Sequence, residues 1–372
     1  MKFVIITHAE HMKKEGKVYS YGPYVREMNL WCKHVDEVLV VAPFSSEAPS
    51  KIDLPYLQTN VTLQHIPAIS LTSPSEVLKT IIKIPLVKWR IFNAMRKADH
   101  IHLRCPGNIG LLGCFIQIVF PKKTKTAKYA GNWDPKAEQP WSYKLQKWLL
   151  SNTFLTKNMQ VLVYGEWPMQ TKNIKSFFTA TYKASQIKES VLRTFQTPYR
   201  FVFVGSLSPG KRPLYAVQLV ETIKNKGFDV FLDIYGDGVE RAALEAYITE
   251  NELSERISLH GNQTSETVEK AYTNSDFMIL PSKSEGWPKV VAEAMFWGVI
   301  PIVTKISCVP WMLEEGERGV LIDVDLETDT AKLVSLIKNP QNLGSMSSKA
   351  KTWSQNYTLD SFEAEIEKLI HP

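Results

Sequence analysis

Short runs of apolar and β-branched residues recur along the whole chain, and many are followed by segments whose apolar residues return every three or four positions. This alternation constrains the fold more than any other feature, because strands separated by helices pair in parallel and carry helices on both faces of the sheet. In the first half the strand-like runs are KFVIIT (2–7), EVLVVAP (37–43), VTLQHIP (61–67), HIHLRCP (100–106), KTAKYAG (125–131) and MQVLVYG (159–165). In the second half they are RFVFVG (200–205), VFLDIYG (230–236), ISLHG (257–261), FMILP (277–281), IPIV (300–303) and GVLID (319–323). Leu214, Val217, Val220 and Ile223 illustrate the helical spacing that follows such a strand. Between the halves, ATYKASQIKESVLRTFQTPY (180–199) is polar and irregular, as a connection between domains would be. The pattern predicts an α/β chain of two Rossmann-like, doubly wound parallel-sheet domains: 1–180, a connection over 181–199, a second domain over 200–352, and a C-terminal helix over 353–372. Phe362, Ile366 and Ile370 give that last helix its apolar face, and Asp360 is its expected cap. Ligands of open parallel sheets bind beyond the carboxyl ends of the strands, and two facing sheets make a cleft.

With 372 residues, 44% of them hydrophobic and 22% charged, the chain can fill two cores. A net charge of +6 is mild for that length and suits an anionic partner without marking a nucleic-acid binder, so no nucleic acid is expected. The longest nearly uncharged stretch, Asn108 to Phe120, is too short to span a bilayer, and MKFVIITHAEHMKKEG lacks a signal-peptide cleavage pattern. A cytoplasmic location is the expectation. Cys32, Cys105, Cys114 and Cys308 form no C-x-x-C pair, which predicts buried reduced thiols, no metal site and no disulfide framework. Basic residues are densest in KTIIKIPLVKWR (79–90) and PKKTKTAKYA (121–130). The first is compatible with peripheral contact with an anionic membrane and equally with an ordinary solvated helix face.

Three loops of the second half carry chemistry. RFVFVGSLSPGKRPLYAV places Lys211 and Arg212 between a strand and a helix whose first turn holds Pro213. Free N–H groups at a helix start, about half a positive charge from the macrodipole and two full cations make an anion site, although a solvated loop explains the same residues. Neither a Walker loop nor a dinucleotide fingerprint is present. YGDGVE (235–240) repeats the strand, glycine turn and helix start. In PSKSEGWPKVVAEAM, Glu285 and Gly286 fall in the loop before a helix with Pro288 in its first turn, and Glu293 falls on that helix. Two such carboxylates can each accept bonds from a pair of sugar hydroxyls. A glycosidase pair needs carboxyl groups about 5 to 9 Å apart across one bond, which suits this spacing poorly. A helix-start Glu and a solvent-facing Glu remain the plain alternative.

In combination, VGSLSPGKRP, YGDG, HGN and PSKSEGWPKVVAEAMFWGVIPIV, over about residues 200 to 325, resemble the nucleotide-sugar domain of family-4 retaining glycosyltransferases of the GT-B fold, within glycosyl transferases group 1. The resemblance implies a hexose moved from a nucleotide-diphosphate sugar to a glycan or lipid-linked acceptor, as in surface polysaccharide or lipopolysaccharide synthesis, without a metal or resident cofactor. It assigns Lys211, Glu285 and Arg104 to catalysis. On the donor side it points to Gly205, Lys211, Arg212, Asn262, Glu285, Gly286, Trp287, Lys289 and Glu293: cations on the pyrophosphate, Glu293 on the ribose, Glu285 and the amides after it on the transferred sugar, and Asn262 near the base. On the acceptor side it points to Gly22, in KVYSYGPYVRE, to His102, in HIHLRCPGN, and to Asn132, Trp133 and Asp134, in AGNWDP. Some positions depart from the family pattern. Ser206 stands where many members have arginine, Pro288 replaces a commoner glycine and removes a backbone donor, and Arg104 replaces a second histidine. Epimerases and phosphorylases share this architecture, and an inactive partner subunit would keep the cleft without turnover. For His102 a buried, hydrogen-bonded ring is the competing expectation, and for the Trp-Asp-Pro loop a simple turn.

Overall fold

The computed structural model of the chain describes residues 1–50, 52–69, 73–188 and 193–371, so the connection expected over 181–199 lies partly outside the described residues. Two compact units result, one made of Met1–Phe178 with Phe362–Pro372 and the other of Thr179–Ser361.

The first unit contains β1 (Lys2–Ile6), β2 (His11–Lys14), β3 (Lys17–Tyr21), α1 (Gly22–Cys32), β4 (Glu37–Ala42), β5 (Asp53–Pro55), β6 (Val61–His65), α2 (Pro74–Lys97), β7 (His100–Cys105), α3 (Asn108–Ile116), β8 (Thr124–Tyr129), α4 (Trp141–Ser151), β9 (Met159–Tyr164) and β10 (Ile174–Phe177). Among the described residues its main sheet runs β10-β9-β8-β7-β1-β4-β6, and every pairing is parallel. Phe3, Val4, Ile5 and Ile6 are all fully buried, because β1 is central and covered on both faces. The sequence reading missed a small antiparallel sheet, β2-β3-β5. Its hairpin turns at Glu15 and Gly16, both with positive φ, as a two-residue hairpin loop requires.

Within the basic stretch 121–130, Lys125 and Lys128 are not surface cations. Both lie on β8 and are buried: Lys125 donates to Gln117 Oε1 at 2.7 Å, and Lys128 to the Phe178 carbonyl at 2.7 Å. A central strand leaves a side chain no direction that reaches water, so each amine is held by fixed acceptors instead. Burial lowers the Lys125 amine to about 8.

The second unit contains β11 (Tyr199–Val204), α5 (Pro213–Asn225), β12 (Val230–Tyr235), α6 (Arg241–Glu250), β13 (Ile257–Gly261), α7 (Ser265–Asn274), β14 (Phe277–Leu280), α8 (Lys289–Phe296), β15 (Ile300–Thr304), α9 (Val309–Met312), β16 (Val320–Ile322), α10 (Leu326–Lys338) and α11 (Gln341–Ser354); α12 (Leu359–Ile370) comes last and from Phe362 onward belongs to the first unit. Its parallel sheet runs β13-β12-β11-β14-β15-β16. From β11 the chain continues to β12 on one side, and from β14 to β15 on the other. The switch point therefore lies between β11 and β14, where the loops after both strands diverge and leave a crevice. These two loops are SLSPGKR and SKSEGWP, those singled out from the sequence.

Candidate functional site

The loop after β11 is shaped by backbone contacts that only glycine permits. A Cβ on Gly236 would lie 1.9 Å from the Gly205 carbonyl oxygen, and one on Gly238 would lie 2.3 Å from that of Leu207. The two glycines of YGDG thus let the turn after β12 pack directly on the loop after β11, with Gly205 N donating to the Tyr235 carbonyl at 3.0 Å. Arg212, in the left-handed region at φ 50°, then turns the chain into α5 with Pro213 at its start. That Pro lacks an N–H where none would find a partner.

Three ties join this loop to the one after β14. Lys283 N donates to the Gly210 carbonyl at 2.8 Å, and Arg212 Nη1 to the Pro281 carbonyl at 3.3 Å. Lys211 Nζ forms an ion pair with Glu285 Oε1. The side chains of Lys211 and Glu285 are 27% and 10% exposed, so the pair is largely but not wholly withdrawn from solvent. Lys211, Arg212 and Glu285 are thus brought together at the switch point, along with Gly205 at the base of the loop.

The other donor-side candidates take varied positions. Gly286 offers its carbonyl to Ser307 Oγ at 3.3 Å and Cys308 Sγ at 3.1 Å. The Trp287 ring is buried among Trp311, Trp353 and Tyr357, at centroid distances of 6.3, 6.1 and 5.7 Å. An apolar ring next to a Gly-Pro turn gains more from that cluster than from solvent. Pro288 precedes α8 instead of lying within it. Lys289 opens α8 and lines a small recess with Glu293. Glu293 accepts from Thr181 Oγ1 at 2.7 Å and from the Tyr272 hydroxyl at 3.3 Å. Among the described residues no bond joins it to Lys211, Arg212 or Glu285. Asn262 is exposed just beyond β13. Beside it, His260 stacks on Tyr235 at 4.5 Å and bonds Asp233 through Nε2 at 2.6 Å.

In the first unit, Arg104 is held by Glu27, which accepts from both its terminal nitrogens, and its guanidinium lies 5.4 Å from the Tyr24 ring centre. Glu27 also stands 3.9 Å from Lys128 Nζ. His8, on the loop after β1, has a lowered pKa through loss of surrounding water and then the Arg104 charge. His102 is fully buried, with Nδ1 2.9 Å from Thr126 Oγ1 and its ring 4.6 Å from Trp31. Burial, more than the neighbouring Arg104, drives its pKa well below the usual value, so it is a neutral ring in the core. Gly22 opens α1, where a Cβ would meet the Ile52 carbonyl at 2.6 Å.

The NWDP loop serves largely to close itself. Asn132 Oδ1 accepts from Asp134 N, and Asp134 Oδ1 from Lys136 N, both at 2.8 Å. Trp133 is mostly buried, edge-on to Tyr129 at 4.8 Å. It still forms one wall of a cavity of about 220 Å³, shared with Lys147, Trp148, Trp167, Met169 and Gln170. Burial lowers the Lys147 amine to about 8.

Sequence reasoning did not find Glu27, Tyr272 or Thr181. Glu27 carried a signal: it lies on the stripe of α1 defined by Tyr24, Met28 and Trp31, where a charge implies a buried partner. Tyr272 and Thr181 carried none, since their roles depend on packing between distant segments. No group of three or more His, Cys, Asp or Glu side chains suited to a metal occurs among the described residues.

Taken together, two parallel α/β units and a cation-carboxylate switch point define the GT-B class. Over its whole length the chain superposes on Anabaena HepE in complex with UDP, with a TM-score of 0.69 at 15% identity, covering 99% of this chain and 98% of that one. Residues 185–354 match the sequence profile of glycosyl transferases group 1. An uncharacterized glycosyltransferase of Methanocaldococcus jannaschii is 25% identical over 173 residues, 46% of this chain and 48% of the relative. The Escherichia coli UDP-Gal:alpha-D-GlcNAc-diphosphoundecaprenol alpha-1,3-galactosyltransferase is 28% identical over 151 residues, 40% of this chain and 38% of the relative. The aligned region thus spans about half or less of these curated relatives.

Proposed function

We propose that the chain transfers a hexose, with retention, from a nucleotide-diphosphate sugar to a glycan or lipid-linked acceptor in the synthesis of a surface polysaccharide or lipopolysaccharide. The observation that carries this reading is the Lys211–Glu285 pair at the switch point. A diphosphate entering the crevice takes Lys211 from Glu285, with Arg212 and the start of α5 beside it. Glu285 is then released to accept hydroxyls of the transferred sugar, so one molecule satisfies both groups. Glu293 already receives two hydroxyl donors, and exchange of Thr181 for a ribose hydroxyl preserves that chemistry. As the glycosidic bond to the leaving phosphate breaks, fixed cations and amides stabilise the charge gathering on the diphosphate. The acceptor hydroxyl loses its proton to that phosphate as the new bond forms. The relatives' names support a uridine nucleotide and a diphosphoundecaprenol-linked acceptor as the first choices. On the acceptor side, the Trp133 cavity has the flat apolar walls on which a sugar ring stacks.

The test is a thermal-shift screen against uridine, guanosine and adenosine diphosphate sugars, since a ligand that binds only the folded state raises its melting temperature. A responding donor is then incubated with lipid-linked glycan, and the anomeric configuration of the product is read by NMR. Donor consumption without acceptor indicates an epimerase, a need for free phosphate indicates a phosphorylase, and binding without turnover indicates an inactive subunit. Absence of any thermal response overturns the donor assignment.

A further inference from the structure

Helix α2 has two apolar faces. One enters the core through Val87, Ile91, Ala94 and Met95. On the opposite side, where a helix of a water-facing domain carries polar residues, stand Ile81, Ile82, Leu86, Trp89 and Phe92. Ile82 is 74% exposed, Trp89 63% and Ile81 57%. The patch continues beyond the helix: Phe92 meets Phe120 at 5.3 Å between ring centres, and Phe115 and Val119 are exposed nearby in sequence. Scattered surface apolar residues need no explanation, but a continuous stripe of large ones marks an interaction surface.

Charge identifies what covers it. Residues 77–97 contain Lys79, Lys83, Lys88, Arg90, Arg96 and Lys97 and no acid, and the adjoining segment 111–123 adds Lys122 and Lys123, again without an acid. Lys88, Arg96, Lys97 and Lys122 are exposed. Some of the cations also brace the helix, Lys83 donating to the Ala68 carbonyl at 3.4 Å and Arg90 to that of His65. Glu76 lies in the first turn and Asp99 beyond the last. No helix among the described residues is long and apolar enough to cross a membrane. We propose that α2 lies in the plane of an anionic lipid surface, with Ile82, Leu86 and Trp89 sunk among the acyl chains and Lys88, Arg96, Lys97 and Lys122 at the level of the headgroups. A protein partner would need a matching acidic rim around an apolar face, whereas an anionic bilayer supplies both over any area. Each cation near such a surface raises partitioning about fivefold, and each apolar side chain fully buried does so by roughly tenfold or more. This inference deepens the proposed function, because it would bring the enzyme to a lipid-linked acceptor.

Flotation of the full chain with vesicles tests it. The protein is expected to float with phosphatidylcholine–phosphatidylglycerol vesicles and far less with phosphatidylcholine alone, and added salt should weaken the binding. The Ile82→Glu/Trp89→Glu variant should lose flotation at least a hundredfold in partitioning while keeping the wild-type circular dichroism and melting temperature. Lys88→Glu/Arg96→Glu should lower it at least tenfold and abolish the preference for anionic lipid. Equal flotation of the apolar variant and wild type overturns the proposal. So does a concentration-dependent dimer of the wild type, seen by analytical ultracentrifugation, that the apolar variant disrupts. The nucleotide-sugar thermal shift is measured on the same variants. A normal shift with lost flotation supports the surface, whereas flotation without any shift leaves the surface standing and removes the donor assignment.

Discussion

Replacing Glu27 by glutamine should destabilise the first unit more than any single change on its surface. The carboxylate is 7% exposed, accepts from two Arg104 nitrogens, and stands 3.9 Å from Lys128, whose side chain is fully buried. Removing one partner of a buried ion pair costs about 3–5 kcal/mol, most of it from the charge left behind. Here the lower end applies, because Lys128 keeps the Phe178 carbonyl and the faces of Phe177, Tyr164 and Phe362, and Arg104 keeps the Tyr24 ring. A loss of about 3 kcal/mol in a unit of this size lowers its melting temperature by roughly 6–12 °C. Calorimetry on the full chain reads this as a downward shift of one transition, and urea unfolding gives the free energy. A second variant, Glu27→Gln with Arg104→Met, should recover at least half of the loss, since one of the stranded charges is removed along with its partner. A loss below about 1 kcal/mol in the single variant, or no recovery in the double, would refute the idea that these charges are held by one another.

Lys211→Ala should lower turnover more than it alters folding, reducing kcat/KM by roughly 10–150-fold, the value of one charged hydrogen bond of about 1.5–3 kcal/mol, measured with the responding donor; full activity would remove Lys211 from the mechanism. Gly236→Ala forces a Cβ onto the Gly205 carbonyl and should cost at least about 1–3 kcal/mol in urea unfolding, with loss of the donor thermal shift. His11 and His100 are both lowered to about 4 by burial, and His102 is lowered well below its usual value for the same reason. Folded chains bind these protons less readily than unfolded ones, so this stability is full above about pH 6.5 and falls below it, by up to about 1.4 kcal/mol per pH unit for each ring. Urea midpoints between pH 7.5 and 4.5 check this, and a midpoint independent of pH across that window would contradict it.

The layered architecture was legible because β1, β4, β11 and β14 are mostly apolar runs bounded by turns, which a parallel sheet covered on both faces demands. The switch-point loops were legible as well, since glycines, cations and carboxylates fall at fixed distances after those runs. Short-range sequence could not reveal which way a side chain turns once the layers close. Trp287 sits in a loop full of polar residues, yet its ring joins Trp311, Trp353 and Tyr357. Nothing in the sequence marks Lys125 and Lys128 as buried, because charge normally means solvent, and only the position of β8 inside the sheet reverses that. Glu293 was readable as a hydroxyl acceptor, but its donors come from segments 112 and 21 residues away. The hairpin of β2 and β3 escaped because Glu-Gly is a weaker turn signal than Asn-Gly or Asp-Gly.

The bond between Lys211 and Glu285 sets what a resting crevice will tolerate. With Lys211 already neutralised, the loop offers a stray inorganic anion one free charge among the described residues, Arg212, and an anion that also took Lys211 would strand a carboxylate. In the proposed transfer the same logic acts on the product: once the sugar has left, Glu285 has nothing to hold, and its return to Lys211 competes with the spent diphosphate. On that proposal the crevice carries its own means of ejecting what it has used.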